Sequence, residues 1–157
     1  MPVGIGSDVH RLAEGRRLVV GGVEIDSPRG AAAHSDGDVL LHAIIDAMFG
    51  AAGLGDIGDH FPDTAPQYKD ADSRELLRRA SALLADKGLR VVQLDATARL
   101  ERPKLGPHKS TMREHIAADL GLAPGSVNVK AKTAEGLGSV GRGEAIAAEA
   151  VATLSDL

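Results

Sequence analysis

Asp8-Val9-His10 sets a carboxylate and an imidazole at i and i+2. On an extended strand these positions project to the same side, so Asp8 and His10 point together. His42 follows near the start of an amphipathic segment, with Asp46 at i+4. Two imidazoles and a carboxylate drawn from two elements make a three-ligand zinc site with an open fourth position, the catalytic rather than the structural pattern. A surface pair or a satisfied hydrogen bond also explains Asp8 and His10, and the residues alone leave both readings open. His34-Ser35-Asp36-Gly37-Asp38 comes just before the same segment. Ser35 and Asp36 are candidate N-caps, but capping has no use for His34. A helix N-terminus with a histidine and a glycine beside it also suits an anion.

Three further segments carry chemistry. Gly53-Leu54-Gly55-Asp56-Ile57-Gly58-Asp59-His60-Phe61-Pro62-Asp63 reads as a binding loop or as a merely flexible one. Lys130-Ala131-Lys132-Thr133-Ala134-Glu135-Gly136-Leu137-Gly138 leaves a strand into a glycine-rich turn. Lys132 or Thr133 suits a phosphate oxygen there and Glu135 a divalent cation, although a polar strand end accounts for the same residues. In Arg102-Pro103-Lys104-Leu105-Gly106-Pro107 the prolines remove backbone donors and leave carbonyls free. No Walker A pattern, nucleophile elbow or dinucleotide fingerprint is present.

The hydrophobic pattern supplies elements to position these groups. Residues 3–10 read as a strand and 17–25 as a hairpin turning at Gly21-Gly22. Leu41, Ile45, Met48 and Ala52 mark one face of a helix over 38–52 that stops at Gly53. A long loop over 53–69 follows, then a helix over 73–87 capped by Asp72 or Ser73, with Leu76, Ala80 and Leu83 on its buried face. A strand over 89–100, a helix over 108–120, a strand over 126–133 and an alanine-rich helix over 144–154 complete the chain. The expected architecture is one α+β domain over residues 1–157, with a mixed sheet of four to five strands covered on one face by helices. Small polar side chains on the other sheet face would make a poor monomer surface, which points to self-association.

With 157 residues the chain has room for one core. Eighteen Lys and Arg against 22 Asp and Glu give a net charge of -4, which disfavours nucleic-acid and anionic-membrane partners. Two Phe, one Tyr and no Trp leave little on which bases could stack. Zero cysteines exclude disulfides, zinc fingers and a thiol nucleophile, so any metal must use His, Asp and Glu. No apolar run approaches a membrane span, and the first ten residues lack the features of a signal peptide. A cytoplasmic protein is the expectation. The 19 glycines suggest backbone packed closely around something small.

Taken in order, Ser7-Asp8-Val9-His10, His34-Ser35-Asp36-Gly37-Asp38 with His42, Gly53-Leu54-Gly55-Asp56-Ile57-Gly58 and Phe61-Pro62-Asp63-Thr64 resemble the 2-C-methyl-D-erythritol 2,4-cyclodiphosphate synthase family of the non-mevalonate isoprenoid pathway. Arg102-Pro103-Lys104-Leu105, Lys132-Thr133-Ala134-Glu135 and Gly141-Arg142-Gly143-Glu144 extend the likeness over essentially the whole chain.

The resemblance implies that Asp8, His10 and His42 bind one zinc per subunit and that His34 and Thr133 stabilise the transition state. It implies that Glu135 binds a second divalent cation, magnesium or manganese. The methylerythritol phosphate would be met by Asp8, Val9, His10, His34 and Ser35, by Asp56, Ile57 and Gly58, and by Phe61, Pro62, Asp63, Thr64 and Ala65. The cytidine diphosphate portion would be held by Leu100, Glu101, Arg102, Pro103, Lys104, Leu105 and Gly106, with Lys132, Thr133, Ala134 and Glu135. With so few aromatics, the cytosine would be read by backbone and aliphatic contacts. The implied assembly is a homotrimer with its sheets facing the threefold axis and its active sites between subunits. The implied reaction converts 4-diphosphocytidyl-2-C-methyl-D-erythritol 2-phosphate into the cyclic diphosphate and CMP. Ser139 and Arg142, also among the implied substrate-binding residues, fall in the region implied to lie near the axis. Ile5, Ser7 and Ser139 stand where members often carry aromatic or histidine residues around a prenyl diphosphate cavity, which argues against prenyl-chain binding, whereas Arg142 is retained. Asp46, one turn after His42, either orients that imidazole from behind or serves as a core cap or a solvent contact, and the residues leave these open.

Overall fold

Five strands build the main sheet of the computed structural model, which describes all of residues 1–157. They are β1 (Val3–Glu14), β4 (Arg29–Ala31), β5 (Leu89–Arg99), β6 (Val127–Lys132) and β7 (Ala145–Asp156). Their order is β4-β1-β7-β5-β6, and only the β5–β6 pair is parallel, so the sheet is mixed. A separate hairpin, β2 (Leu18–Val20) and β3 (Val23–Ile25), turns at Gly21 and Gly22. Both glycines have positive φ, 60° and 75°, as the common two-residue hairpin turn requires.

Helices cover one face of the sheet. α1 (Val39–Ala52) lies across β1, β7 and β5 and is buried along most of its length. α3 (Ser73–Asp86) and α4 (Lys109–Leu120) flank it. Asp72 caps α3, its side chain accepting the Arg74 N–H at 2.9 Å. Leu76, Leu77, Ala80 and Leu84 form the buried stripe of α3, while Leu83, placed in that stripe by the spacing, is only half-buried. No helix is long and apolar enough to cross a membrane.

Three sequence expectations are corrected. The alanine-rich segment over 144–154 is not a helix but the central strand β7, paired with β1 on one side and β5 on the other. Its buried side chains Ile146, Ala148, Ala150, Ala152 and Leu154 alternate with more exposed ones. That period of two satisfies two neighbouring strands at once, and tertiary pairing overrides the helical preference of alanine. The cap of α1 is Asp38, whose side chain accepts the Leu41 N–H, rather than Ser35 or Asp36. Finally, β4 lies between the hairpin and α1, where the sequence pattern marks no element, and the loop over 53–69 contains a short helix, α2 (Ile57–His60), and a 3-10 turn over Pro66–Tyr68.

Small residues let α1 approach the sheet closely. A Cβ at Gly4 or Gly6 of β1 would fall on the Ala47 or Ala43 carbonyl oxygen of α1. The other sheet face carries no helix. There Val3, Ile5, Val9 and Val151 are exposed, beside the ion pairs Arg99–Glu149 and Asp95–Lys130. The face is thus an apolar stripe on β1 and β7 with charged pairs alongside, rather than a uniformly small and polar surface.

Candidate active site

β1 presents Asp8 and His10 toward the helical layer, and the first turns of α1 bring His42 to meet them. Asp8 Oδ2 lies 2.9 Å from His10 Nε2 and 3.1 Å from His42 Nδ1, and the two ring nitrogens are 3.2 Å apart. These three atoms form a compact triangle of potential metal-ligating groups. Tetrahedral bonds of about 2.0–2.1 Å place ligand atoms about 3.3 Å apart, so the donor set and its spacing fit a zinc-sized ion. Burial alone would raise the Asp8 pKa, but hydrogen bonds and charge from His10 and His42 outweigh it and hold the carboxyl well below its usual range. For His42, burial works against the charged ring, and the Asp8 carboxylate overcomes it and raises the pKa.

The back of His42 is also held. Its Nε2 lies 2.9 Å from Ser73 Oγ, at the start of α3, and 3.3 Å from Ser35 Oγ. Ser73 donates its hydroxyl proton to Asp36 Oδ1, and its own N–H is accepted by Asp36 Oδ2 at 2.9 Å. A hydroxyl has one proton to give. Ser73 Oγ therefore accepts from His42 Nε2–H, which keeps Nδ1 turned to Asp8 and His10, paired with the carboxylate while the ring is charged and offering a lone pair once it is neutral. This is the outer support that metal-ligating histidines use.

One cavity of about 660 Å³ gathers Asp8, His10, His34, Ser35 and His42 with Ile57, Gly58, Phe61 and Asp63. His34 Nε2 donates to the Ala65 carbonyl oxygen at 2.9 Å, which ties the loop over 61–65 to the segment that precedes α1. Asp56 is occupied as the cap of α2, in a reciprocal capping box with Asp59. The side chain of Val9 is on the opposite, open face of the sheet.

The remaining predicted residues lie elsewhere on the chain. Leu100, Lys104, Leu105, Gly106, Lys132 and Thr133 line a separate cavity of about 190 Å³. Glu101, Arg102, Pro103, Lys104 and Arg142 line a third. The Glu101 carboxylate accepts the Ala134 and Gly136 N–H groups at 2.9 and 3.1 Å, so it shapes the turn that carries Glu135. Glu135 itself adopts a left-handed backbone with φ 53°, uncommon for a residue other than glycine. Arg142 pairs with Glu144 at 3.0 Å, beside Ser139 in the short helix α5 (Gly138–Gly141). Within one chain His34 and Thr133 do not meet.

The sequence profile of the YgbB family matches residues 1–155. The chain belongs to this family. It is 60% identical over 150 residues to the 2-C-methyl-D-erythritol 2,4-cyclodiphosphate synthase of Dechloromonas aromatica, covering 96% of this chain and 94% of that one. It is 58% identical over 156 residues to that of Geobacter sulfurreducens, covering 99% of each. Among solved structures, the bifunctional IspDF from Campylobacter jejuni superposes with a TM-score of 0.95 at 42% identity, over 99% of this chain and 42% of that one. A 2C-methyl-D-erythritol-2,4-cyclodiphosphate synthase in its CDP-bound form gives a TM-score of 0.89 at 41% identity, over 98% of this chain and 99% of that one.

Family likeness and spacing both passed over some residues that shape the site. Ser73 reads in the sequence as a helix cap, and its partnership with His42 is a contact made 31 residues away along the chain. Asp46 does not orient His42. Its Oδ1 accepts the Ile57 N–H at 2.8 Å and so anchors the start of α2 beside the cavity. Arg16 also lines the metal cavity, from the turn after β1, a position that gives no sequence signal beyond its charge.

Proposed function

We propose that this chain converts 4-diphosphocytidyl-2-C-methyl-D-erythritol 2-phosphate into 2-C-methyl-D-erythritol 2,4-cyclodiphosphate and CMP. The observation that carries this reading is the single cavity holding the Asp8–His10–His42 cluster, His34 and the loop over 57–63. Family membership supports it across nearly the full length of the chain. The 2-phosphate oxygen attacks the β-phosphorus, the bond from that phosphorus to the bridging oxygen breaks, and CMP departs with the electron pair. A phosphate monoester has its second pKa near ~6 and is largely a dianion at neutral pH. No strong general base is needed, so positioning and charge neutralisation dominate.

Asp8, His10 and His42 would hold zinc, and Glu135 a magnesium or manganese ion. Bound there, these ions supply Lewis-acid polarisation of phosphate oxygens. The chain's own groups do the positioning: Ser73 and Asp36 orient His42, His34 binds the loop over 61–65, and Asp46 anchors the turn at Ile57. Lys132 and Thr133 belong to the cytidine diphosphate end.

We propose further that the working unit is a homotrimer. Two features support it: the uncovered stripe of Val3, Ile5, Val9 and Val151, and the separation of His34 from Thr133 into different cavities of one chain. Sites completed between copies would reunite them. The cytoplasm is the proposed compartment.

The deciding experiment incubates purified protein, zinc and magnesium with the cytidylated substrate and follows products by phosphorus NMR. Resonances of the cyclic diphosphate with stoichiometric CMP are expected. CMP accompanied only by a linear phosphate would mean that water, not the 2-phosphate, is the nucleophile, and the protein would be a phosphohydrolase. Tight ligand binding without turnover would make it a binding protein.

A further inference from the structure

The metal cavity is lined by two carboxylates, Asp8 and Asp63, and its only Lys or Arg is Arg16. One of the Arg16 Nη2 protons goes to the Ala33 carbonyl oxygen at 3.1 Å, which stations the guanidinium beside the His34 loop. Its neighbour Arg17 is paired with Glu24, and Arg29 with Glu14, whereas Arg16 enters no ion pair. The lysines Lys104, Lys109 and Lys132 line the separate cavity at the C-terminal ends of β5 and β6. They are not in the lining of the metal cavity.

From this arrangement, and resting on the cyclase reading above, we propose that Arg16 binds the attacking 2-phosphate of the substrate. A phosphate monoester dianion has three terminal oxygens. The planar fork of a guanidinium takes two of them side by side, which leaves the third free to attack the β-phosphorus. The part of Arg16 is charge neutralisation and aim, with no proton transfer. The backbone bond to Ala33 holds the fork against the cavity wall without consuming its charge, and the absence of a carboxylate partner leaves it available to an incoming anion. This assigns a substrate contact to the turn between β1 and β2, outside every motif that marks the family in the sequence.

The test uses the full-length enzyme with Arg16→Gln, which removes the charge, and Arg16→Lys, which keeps the charge without the fork. Arg16 is exposed, so both variants should fold. For Arg16→Gln the KM for the cytidylated substrate should rise about ten- to a hundredfold, the worth of a hydrogen bond between charged groups. Arg16→Lys should recover only part of that loss. By isothermal titration, Arg16→Gln should weaken binding of the cyclic diphosphate product while CDP affinity and zinc content stay at wild-type values. A KM within twofold of wild type would overturn the assignment. So would an equal loss of CDP and product affinity, which would mean a general field effect. If wild-type protein made no cyclic diphosphate, the cyclase reading itself would fall. An active wild type with an unaltered Arg16→Gln would overturn only the role of Arg16.

Discussion

Replacing Ser73 with alanine removes the one oxygen within 3 Å of His42 Nε2 and leaves Ser35 Oγ, at 3.3 Å, as the only other neighbour. Asp36 would lose the Ser73 hydroxyl but keep the Ser73 and Asp38 N–H groups at 2.9 and 3.1 Å. The fold at that corner should therefore survive, and the loss should concentrate on the imidazole. With its acceptor gone, His42 is no longer bound to carry its proton on Nε2, and half of its possible tautomers point an N–H at Asp8 and His10. Losing such outer support weakens metal binding by about ten- to a hundredfold, equivalent to about 1.4–2.7 kcal/mol. Zinc affinity measured by competition with a chromophoric chelator at neutral pH gives the first readout. Nitrogen-15 NMR of the His42 ring in zinc-free protein, at a pH where the ring is neutral, gives the second, with Nε2–H in the wild type and a mixture in Ser73→Ala. Ser73→Thr, which keeps the hydroxyl, should restore the wild-type tautomer. Zinc affinity within twofold of wild type, together with an unchanged His42 tautomer, would refute the hydrogen-bond reasoning.

Burial and the nearby Asp36 charge raise the Asp38 pKa from 3.8 to about 6 against the pull of the Gly22, Leu41 and Gly21 N–H groups. Because the folded value exceeds the unfolded one, the stability linked to this carboxyl is full below about 3.8 and is lost as pH rises through about 6, a change of about 3 kcal/mol. The destabilisation caused by Asp38→Asn in urea titrations should accordingly be greatest near pH ~4 and shrink by that amount by pH ~7; a pH-independent difference would contradict it. Gly6→Ala drives a methyl into the Ala43 carbonyl oxygen, and since backbone yields poorly the penalty should be about 3 kcal/mol, lowering Tm by about 6–12 °C; an unchanged melting curve would refute the steric reading. Asp46→Ala frees the Ile57 N–H, and should raise substrate KM by up to about tenfold while zinc content stays constant, whereas a parallel loss of zinc would place Asp46 behind His42 after all.

Local pattern was enough to find most elements. The spacing of Leu41, Ile45 and Met48 placed α1, Gly21-Gly22 placed the hairpin, and Gly121 marked the end of α4. β7 departs from its local pattern because an alanine-rich run carries a strong intrinsic helical preference, and only the presence of β1 and β5 on both sides turns it into a strand. In the site, Asp8, His10 and His42 were legible from donor chemistry and i, i+2 geometry. Ser73 was not, because serine at a helix start has an ordinary local explanation. Asp46 is a related case. Helical spacing puts it one turn from His42, but spacing says nothing about which way its carboxylate turns when an unpaired N–H at Ile57 is within reach.

The bare backbone at Gly4 and Gly6 has a bearing on the ligand cluster. Asp8 and His10 ride on the strand that α1 touches at these glycines, and His42 rides on α1. The gap between strand and helix acts as the jaw of a calliper, locked by backbone seated on backbone. Side chains in such a contact could rearrange to widen or narrow it, whereas carbonyl oxygens against Cα atoms have little room to give. The ligand triangle should therefore keep its size when empty. The starting separation of the three ligands is thus set in part by Gly4 and Gly6, two positions outside the cluster itself.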